Sequence, residues 1–487
     1  MKNNLKKITT VLLAAVLLTM GLTSCGTSKT VYENEISIVL SENEVTAQGK
    51  GFDAYGDNVF VSNDVIYYED KDTYESGNPY GEGTDQDKHT AEEAAAVTVV
   101  NIVQPGYYRI SGKLSNGQIR VDLGEDAFED ENAVVTLILD GVEINCDIAP
   151  AVIFQNVYEC DNQWSEETAT YTVDTTKAGA NVIIADGSTN NISGANVAKI
   201  FKDNDKQKKL WKQDGAFYSY MSMNISGEEK ESGVLNIYAK NEGLCAELHL
   251  TINSGKINIF SQDDGINTNE DNVSVTTVNG GDVRIIAGTG PLYGDGIDSN
   301  GWIVINGGTV ISAAHPHTDS GIDNEKGCVV NGGTLISIGG IVDWPDRNST
   351  QKMLNLQFKD RISTQTAFIV TDQNDKVVFA YDITQDEVIG STIRECKGVA
   401  ICSPEFTVGE TYKLYLGGKV SGNGTNGLFD ATTAKGFEGA ALQMHYSDEL
   451  FERGGFVYDS SKVYTADTNF VFDSVINCFS DITDFVE

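Results

Sequence analysis

Basic residues are scarce in this chain: 34 Lys and Arg stand against 71 Asp and Glu, a formal charge of −37 over 487 residues. A polyanionic partner would be repelled unless a cation lay between, which disfavours nucleic acid as a ligand. Paired cysteine motifs are missing as well. The 8 cysteines form no CxxC pair and no Cys/His cluster, which argues against a zinc or copper site. The glycine-rich "GTGPLYGDG" has no Lys-Ser/Thr and opens no helix, so it is no phosphate loop. No Ser/His/Asp set for nucleophilic catalysis is evident. What the chain does have is length and enough apolar content, 40% hydrophobic against 22% charged, to bury a sizeable core.

The N-terminus reads as an export signal. "MKNNLKK" is a basic n-region, and "ITTVLLAAVLLTMG" is an apolar h-region too short to span a membrane as a mature helix. "LTSC" (Leu22 to Cys25) follows and resembles a bacterial lipobox. That resemblance implies cleavage before Cys25, lipidation of its sulfur and a mature protein tethered at the bacterial cell surface. An ordinary secretory signal is the alternative, and it too exports the chain. Lipidation of Cys25 would leave an odd number of cysteines, so internal pairing could not be complete. Cys146 with Cys160 and Cys396 with Cys402 are close enough in sequence to be tested as disulfides, while buried free thiols are the preferred reading.

The middle of the chain repeats. "SGVLNIYA", "SGKINIFS", "GGDVRIIA", "GGTVISAA" and "GGTLISIG" are versions of one unit, with second residues Gly233, Gly255, Gly281, Gly308 and Gly333 spaced by 22, 26, 27 and 25 positions. Each unit is a short β-branched run, a turn and a second run such as "WIVIN" or "CVVN", with no helical period between. Two or three strands per irregular repeat without a crossover helix predict an all-β fold, a right-handed parallel β-helix (solenoid). Leucine-rich repeats need a pattern that is absent here. "VTLILDGVEIN" and "ANVIIADGSTNNIS" read as earlier coils. The expected organisation is a signal peptide and lipobox at 1–25, an N-terminal β segment with an acidic insertion at 26–95, the β-helix at 96–349 and a C-terminal antiparallel β cap at 350–487. Residues 69–95 and 201–214 are polar and aperiodic, and read as surface insertions.

Within the repeats one turn recurs: "DDGINTN" at Asp263, "GDGIDSNG" at Gly294 and "DSGIDNE" at Asp319. Stacked coils bring equivalent residues to about 4.8 Å from one another. Gly243, Gly265, Gly296 and Gly321 then form one column. Glu242, Asp264, Asp295 and Ser320 form another, and Cys245, Asn267, Asp298 and Asp323 a third. Stacked carboxylates repel unless something neutralises them, and calcium does so with oxygen ligands of matching reach. The plainer reading is a turn ladder in which Asp and Asn only satisfy backbone groups.

"GQIRVDL", "VVTLILDGVEI", "DGAFYSYMSMNISG", "SQDDGINTN", "GDGIDSNGWIVINGGTV", "GIDNEKGCVVNGGTLISIGG" and "SPEFTVGETYKLYLGG" resemble a family of bacterial extracellular carbohydrate-binding domain proteins, from about Ile36 to Gly418. The resemblance implies a calcium-dependent, acid-sugar-binding parallel β-helix distantly similar to pectate lyases. The sequence departs from that pattern at "NEGLCAEL", where Glu242 and Cys245 replace an aspartate and an acid or amide.

The leading expectation is therefore a surface-anchored, monomeric protein in which Ca2+ bridges to an acidic, pectin-like polysaccharide. Its ligands would be Asp263, Asp264, Asp295, Asp298, Asp319 and Asp323, with Asn267 and Asn300 as amide donors. Tyr293, Trp302 and Trp344 are candidate sugar platforms, each equally readable as coil packing. His315 and His317 lie in a loop near the column and read as solvated. A polysaccharide lyase is the alternative, needing a base such as Lys240, Lys326 or Arg284, none tied by register to the acids. A surface stalk or adhesin with structural calcium is the third.

Overall fold

The computed structural model describes residues 30–441 apart from 49, 52–57, 70–79, 82, 162–164, 202–208, 292, 342, 344, 347–348, 364–366, 393 and 408–409, together with 469–471 and 476–482. The signal segment with Cys25, and Trp344, lie outside the described residues. The structure is nearly all β, and its central sheets are parallel.

Each central repeat supplies one strand to each of three parallel columns. Val234–Ala239, Lys256–Ser261, Asp282–Ile286, Thr309–Ala313 and Thr334–Gly339 make the first. Glu242–Ala246, Ile266–Thr268, Ile297–Ser299 and Ile322–Asn324 make the second. His249–Ile252, Val275–Val278, Trp302–Ile305 and Gly327–Val330 make the third. The alternation of the sequence decides which side chains go inside. Ile257, Ile259, Val283 and Ile285 from the first column meet Ile266, Ile297 and Ile322 from the second and Ile252, Val278 and Ile305 from the third in one core, all fully buried. Each contributes about 1.5–3 kcal/mol by leaving water. Because pairing is in register, isoleucine lies against isoleucine, as in Ile266 opposite Ile297 opposite Ile322.

The glycine of the recurring turn is set by the same stacking. Gly296 donates its N–H to the Ser320 carbonyl, and a Cβ on it would collide with Ser312 Oγ inside and with the Gly321 carbonyl of the next coil. Gly265 would meet Ile285 and the Gly296 carbonyl in the same way.

Parallel pairing begins earlier than residue 96. Ile36–Leu40 pairs in parallel with Gly106–Leu114, which continues to Val135–Asn145. The described parts of the two polar insertions include strands. Val197–Phe201 and Lys209–Gln213 pair as antiparallel strands, and Tyr80–Gly81 joins them from the other insertion. Just after it Ala91–Ala95 is a short helix with a complete capping box from Thr90 and Glu93.

At the other end, Glu395–Cys402 pairs antiparallel with Thr334–Gly339 and so covers the edge of the first column. Ala367–Thr371, Val377–Asp382, Thr411–Gly422 and Ala434–Ala441 belong to a separate antiparallel sheet. The outer faces of the last first-column strands, with Ile286, Ile311, Ile336 and Ile338, cluster with Leu354, Phe358 and Phe368. A buried ion pair between Arg284 and Asp386, shared with the Tyr381 hydroxyl, ties the two regions, and Arg394 donates to the carbonyls of Ala287, Gly288 and Ala313.

Cys146, Cys160, Cys245, Cys328, Cys396 and Cys402 form no disulfide. Cys396 and Cys402 share one extended strand, whose rise of about 3.3 Å per residue holds them far beyond disulfide reach. Burial pushes the Cys146 thiol up to about 11, so it is a packing residue.

Gly296→Ala is expected to keep the far-UV circular dichroism of the parent but to lower stability by about 1–3 kcal/mol, since the opposing carbonyl cannot rotate away. A thermal melt superimposing on the parent's would show that the coils do not pack this closely.

Candidate functional site

The second column carries the acidic turn residues, and its register aligns them as the sequence predicts. Cys245 lies opposite Asn267, Asn267 opposite Asp298 and Asp298 opposite Asp323. In each short strand the isoleucine points inward and the next residue outward, which is why an acid or amide follows it.

Two kinds of contact order these groups. The first is a turn ladder: Asp295 N–H donates to Asp264 Oδ1 (2.7 Å), and Ser320 N–H donates to Asp295 Oδ1 (2.6 Å). The second is a cluster around Asn267, which is only 6% exposed. Its Nδ2 donates to Glu242 Oε1 (3.0 Å) and to Asp264 Oδ2 (3.3 Å). Its Oδ1 is buried without a hydrogen-bond partner. An acceptor oxygen is thus left unsatisfied among carboxylates, an arrangement that costs free energy unless a donor or cation fills it. The ladder reading accounts for one oxygen each of Asp264 and Asp295, and not for Asn267 Oδ1.

Electrostatics agree. Burial, then the charges of Glu242, Asp298, Asp263 and Asp295, hold the Asp264 carboxyl well above the usual range. Burial and the charges of Asp323, Asp319 and Asp298 push Asp295 up to about 8, against the lowering effect of its bond from Ser320. Burial and the charges of Asp214 and Asp319 raise Asp263 to about 6. No lysine or arginine enters these causes. Among the described residues no three His, Cys, Asp or Glu side chains converge closely enough to enclose a metal ion alone. An oxygen-seeking ion such as calcium nonetheless fits the donor chemistry, taking Asn267 Oδ1 with neighbouring carboxylate oxygens and completing its shell from water or a ligand.

The other expected residues divide. Asp319 accepts from Gly294 N–H (3.1 Å) and lies 3.6 Å from His315 Nδ1, and His315 meets the exposed Tyr293 ring edge to face at 4.8 Å. Tyr293 therefore sits beside the acids. Asn300 does not, because its Nδ2 binds the Asn269 carbonyl and Asp271 in the following turn. Trp302 starts a third-column strand and alternates outward with Val304, away from the acidic turns. Of the candidate bases, Arg284 is buried against Asp386 and Asp282, and Lys240 pairs with Asp147 at 2.7 Å.

Two contributions go beyond the expected ligand set. Glu242, the departure from the family pattern, does enter the cluster and takes the Cys245 thiol on Oε2 (2.9 Å). Asp214 extends the acidic face by one coil: Gly215 pairs with Glu242, so Asp214 is the equivalent of Asn241. Its signal was the Asp-Gly of "DGAFYSYM", hidden by the charged stretch before it.

A carboxyl whose folded pKa lies above its unfolded value, about 4, favours the fold below that pH and loses the contribution as pH rises through the folded value. With Asp263 at about 6 and Asp295 at about 8, that window runs from roughly pH 4 to 8. In chelator, the Tm is expected to fall across this window, and Asp295→Asn should flatten the fall. An equal slope in parent and variant would show that these carboxylates do not repel as placed.

Comparison with known proteins gives three findings. No curated protein matches the chain. The structure of the polysaccharide lyase-like protein from C. thermocellum, a gadolinium derivative, aligns at 18% identity over 63% of this chain and 93% of that one, with a TM-score of 0.34 too low to carry an argument. The carbohydrate-binding domain-containing protein family matches residues 96–385. By that match, which covers more than half of its length and the whole acidic column, the chain belongs to the carbohydrate-binding domain-containing protein family.

Proposed function

We propose that the protein binds acidic, uronate-containing polysaccharide through calcium held on the acidic column. The observation that carries this reading is the buried, unpartnered Asn267 Oδ1, fixed by Glu242 and Asp264 among carboxylates that repel one another. Asp264, Asp295, Asp298 and Asn267 would hold the ion, with Asp263, Asp319 and Asp323 around it. Bound calcium would supply the positive charge that a chain of net −37 otherwise lacks toward a sugar carboxylate. The shortage of protein ligands favours an ion whose shell the sugar completes. Tyr293, exposed beside His315 and Asp319, is placed to stack on a ring. Two of the three candidate bases are committed elsewhere, Arg284 to a buried ion pair and Lys240 to Asp147, which favours binding over cleavage, and the exposed Lys326 is the one that the product assay below tests.

The scaffold belongs to the same proposal. Three parallel columns joined by successive short connections support reading the scaffold as a parallel β-helix, and a right-handed one, since right-handed parallel crossovers are the rule for L-residues. The 96–349 region would be its body and 350–487 its antiparallel cap. Lipidation at Cys25 would hold it at the bacterial surface. Cys25→Ser is then expected to move the protein out of the membrane fraction, and unchanged partition on fractionation would remove the anchor.

Calorimetric titration tests the site. The parent should bind calcium, and with calcium present it should bind trigalacturonate, with both lost in chelator. Asp295→Asn/Asp298→Asn should keep the fold, weaken calcium binding by about tenfold or more and weaken sugar binding in parallel. No unsaturated uronate product should accumulate in the ultraviolet. A double variant that binds calcium and sugar like its parent would reduce the column to a turn ladder, and steady growth of product absorbance would make the protein a lyase.

A further inference from the structure

A second groove, of about 530 Å³, lies on the outer face of the third column, away from the acidic turns. Its floor is a ladder of exposed amides that repeats with the coils. Asn279 Nδ2 donates to Asn253 Oδ1 (3.0 Å), Asn306 to Asn279 (2.9 Å) and Asn331 to Asn306 (2.9 Å). Each ladder bond uses one N–H and one lone pair, so the inner amides Asn279 and Asn306 each keep a second N–H and a second lone pair outside the ladder. Two residues back along the strands, Thr251, Thr277 and Val304 line the floor beside them.

The wall is the segment Tyr171 to Thr176, which comes from about a hundred positions upstream and is fixed in place. The Thr175 hydroxyl donates to Asn224 Oδ1 (2.8 Å) and lies 2.7 Å from the Thr251 hydroxyl, while Asn224 Nδ2 donates to the Thr175 carbonyl (2.7 Å). Thr175, Asn224 and Thr251 are all buried, so the overhang is preformed. Tyr171 leaves 40% of its surface open there. The one carboxylate, Asp174, accepts the N–H and hydroxyl of Thr176, which hold it below the usual range and ionised. Among the described residues no lysine or arginine lines the groove.

This lining selects against several occupants. A uronate would find no cation and one negative charge, and an apolar peptide would find amides and hydroxyls with no apolar pocket. What matches is a ligand that repeats as the floor repeats, at about 4.8 Å per coil, and that offers paired hydroxyls able to donate and accept. An extended chain of neutral pyranose rings has both properties, and an aromatic ring at the wall is the usual partner for a sugar face. We propose that this groove is a second carbohydrate site, for a neutral extended oligosaccharide, working without calcium and independently of the acidic column. Asn279 and Asn306 bind ring hydroxyls, and Tyr171 stacks on one ring.

The test titrates the full chain, in chelator, with cellohexaose, xylohexaose and mannohexaose. At least one is expected to bind. Thr277→Tyr, an outward strand position where an aromatic side chain suits the sheet and fills the groove, should abolish that binding with the thermal melt retained. Tyr171→Ala, at an exposed position that cannot unfold the coil, should weaken it about tenfold. Asp295→Asn/Asp298→Asn should leave it unchanged. Failure of all three hexasaccharides to bind, or binding that survives both groove variants, would overturn the proposal. Binding lost in the acidic double variant but kept in the groove variants would overturn it too, and would place the neutral sugar on the acidic column.

Discussion

In-register parallel pairing is the constraint on which everything else in this molecule depends. Each repeat pairs with the last, like residue against like, so the chain multiplies whatever it places at a position. Isoleucine on isoleucine makes a continuous interior, amide on amide a hydrogen-bonded ladder, glycine on carbonyl a close backbone approach. Aspartate beside aspartate makes an electrostatic problem, and burial together with that repulsion raises the carboxyls of Asp263, Asp264 and Asp295. A stacked fold has no cheaper way to concentrate negative charge than to repeat it, and it relieves that charge by holding protons or by taking a counter-charge from outside.

Repetition is also what made part of the fold legible. The spacing of Gly243, Gly265, Gly296 and Gly321 is enough to align Asn267, Asp298 and Asp323, and the structure pairs those residues as aligned. Reading stops where a contact is not repeated. Asn267 owes its orientation to Glu242, a residue that looks like a defect in the pattern until its longer side chain is seen to reach the next coil. Asp214 was lost in a charged stretch, and the pairing of Tyr80–Gly81 with Val197–Phe201 joins segments that share no periodicity. The overhang on the third column was invisible for the same reason, since nothing in "TYTVDTT" announces that Thr175 will lie against Thr251.

The C-terminal region is joined to the stack by a different logic. Arg284 and Asp386 are both buried, with Tyr381 on the same carboxylate, and such a pair is costly to desolvate but far more costly to break. It acts less as glue than as a key that fits one docking geometry. That geometry brings the apolar residues Ile286, Ile311 and Ile336 under Leu354 and Phe368.

The strand Glu395–Cys402 runs against the direction of the column it closes. A chain cut after the last repeat would end in an open parallel edge beside a bare isoleucine stripe, whereas the other end is already closed, by Thr46–Ala47 antiparallel to Ile36–Leu40 and Val59–Ser62 antiparallel to Thr98–Ile102. An open edge at one end only can pair with the same edge of a second copy, in a contact that uses up both edges and stops there. The antiparallel strand therefore keeps two molecules from joining end to end through their unfinished sheets.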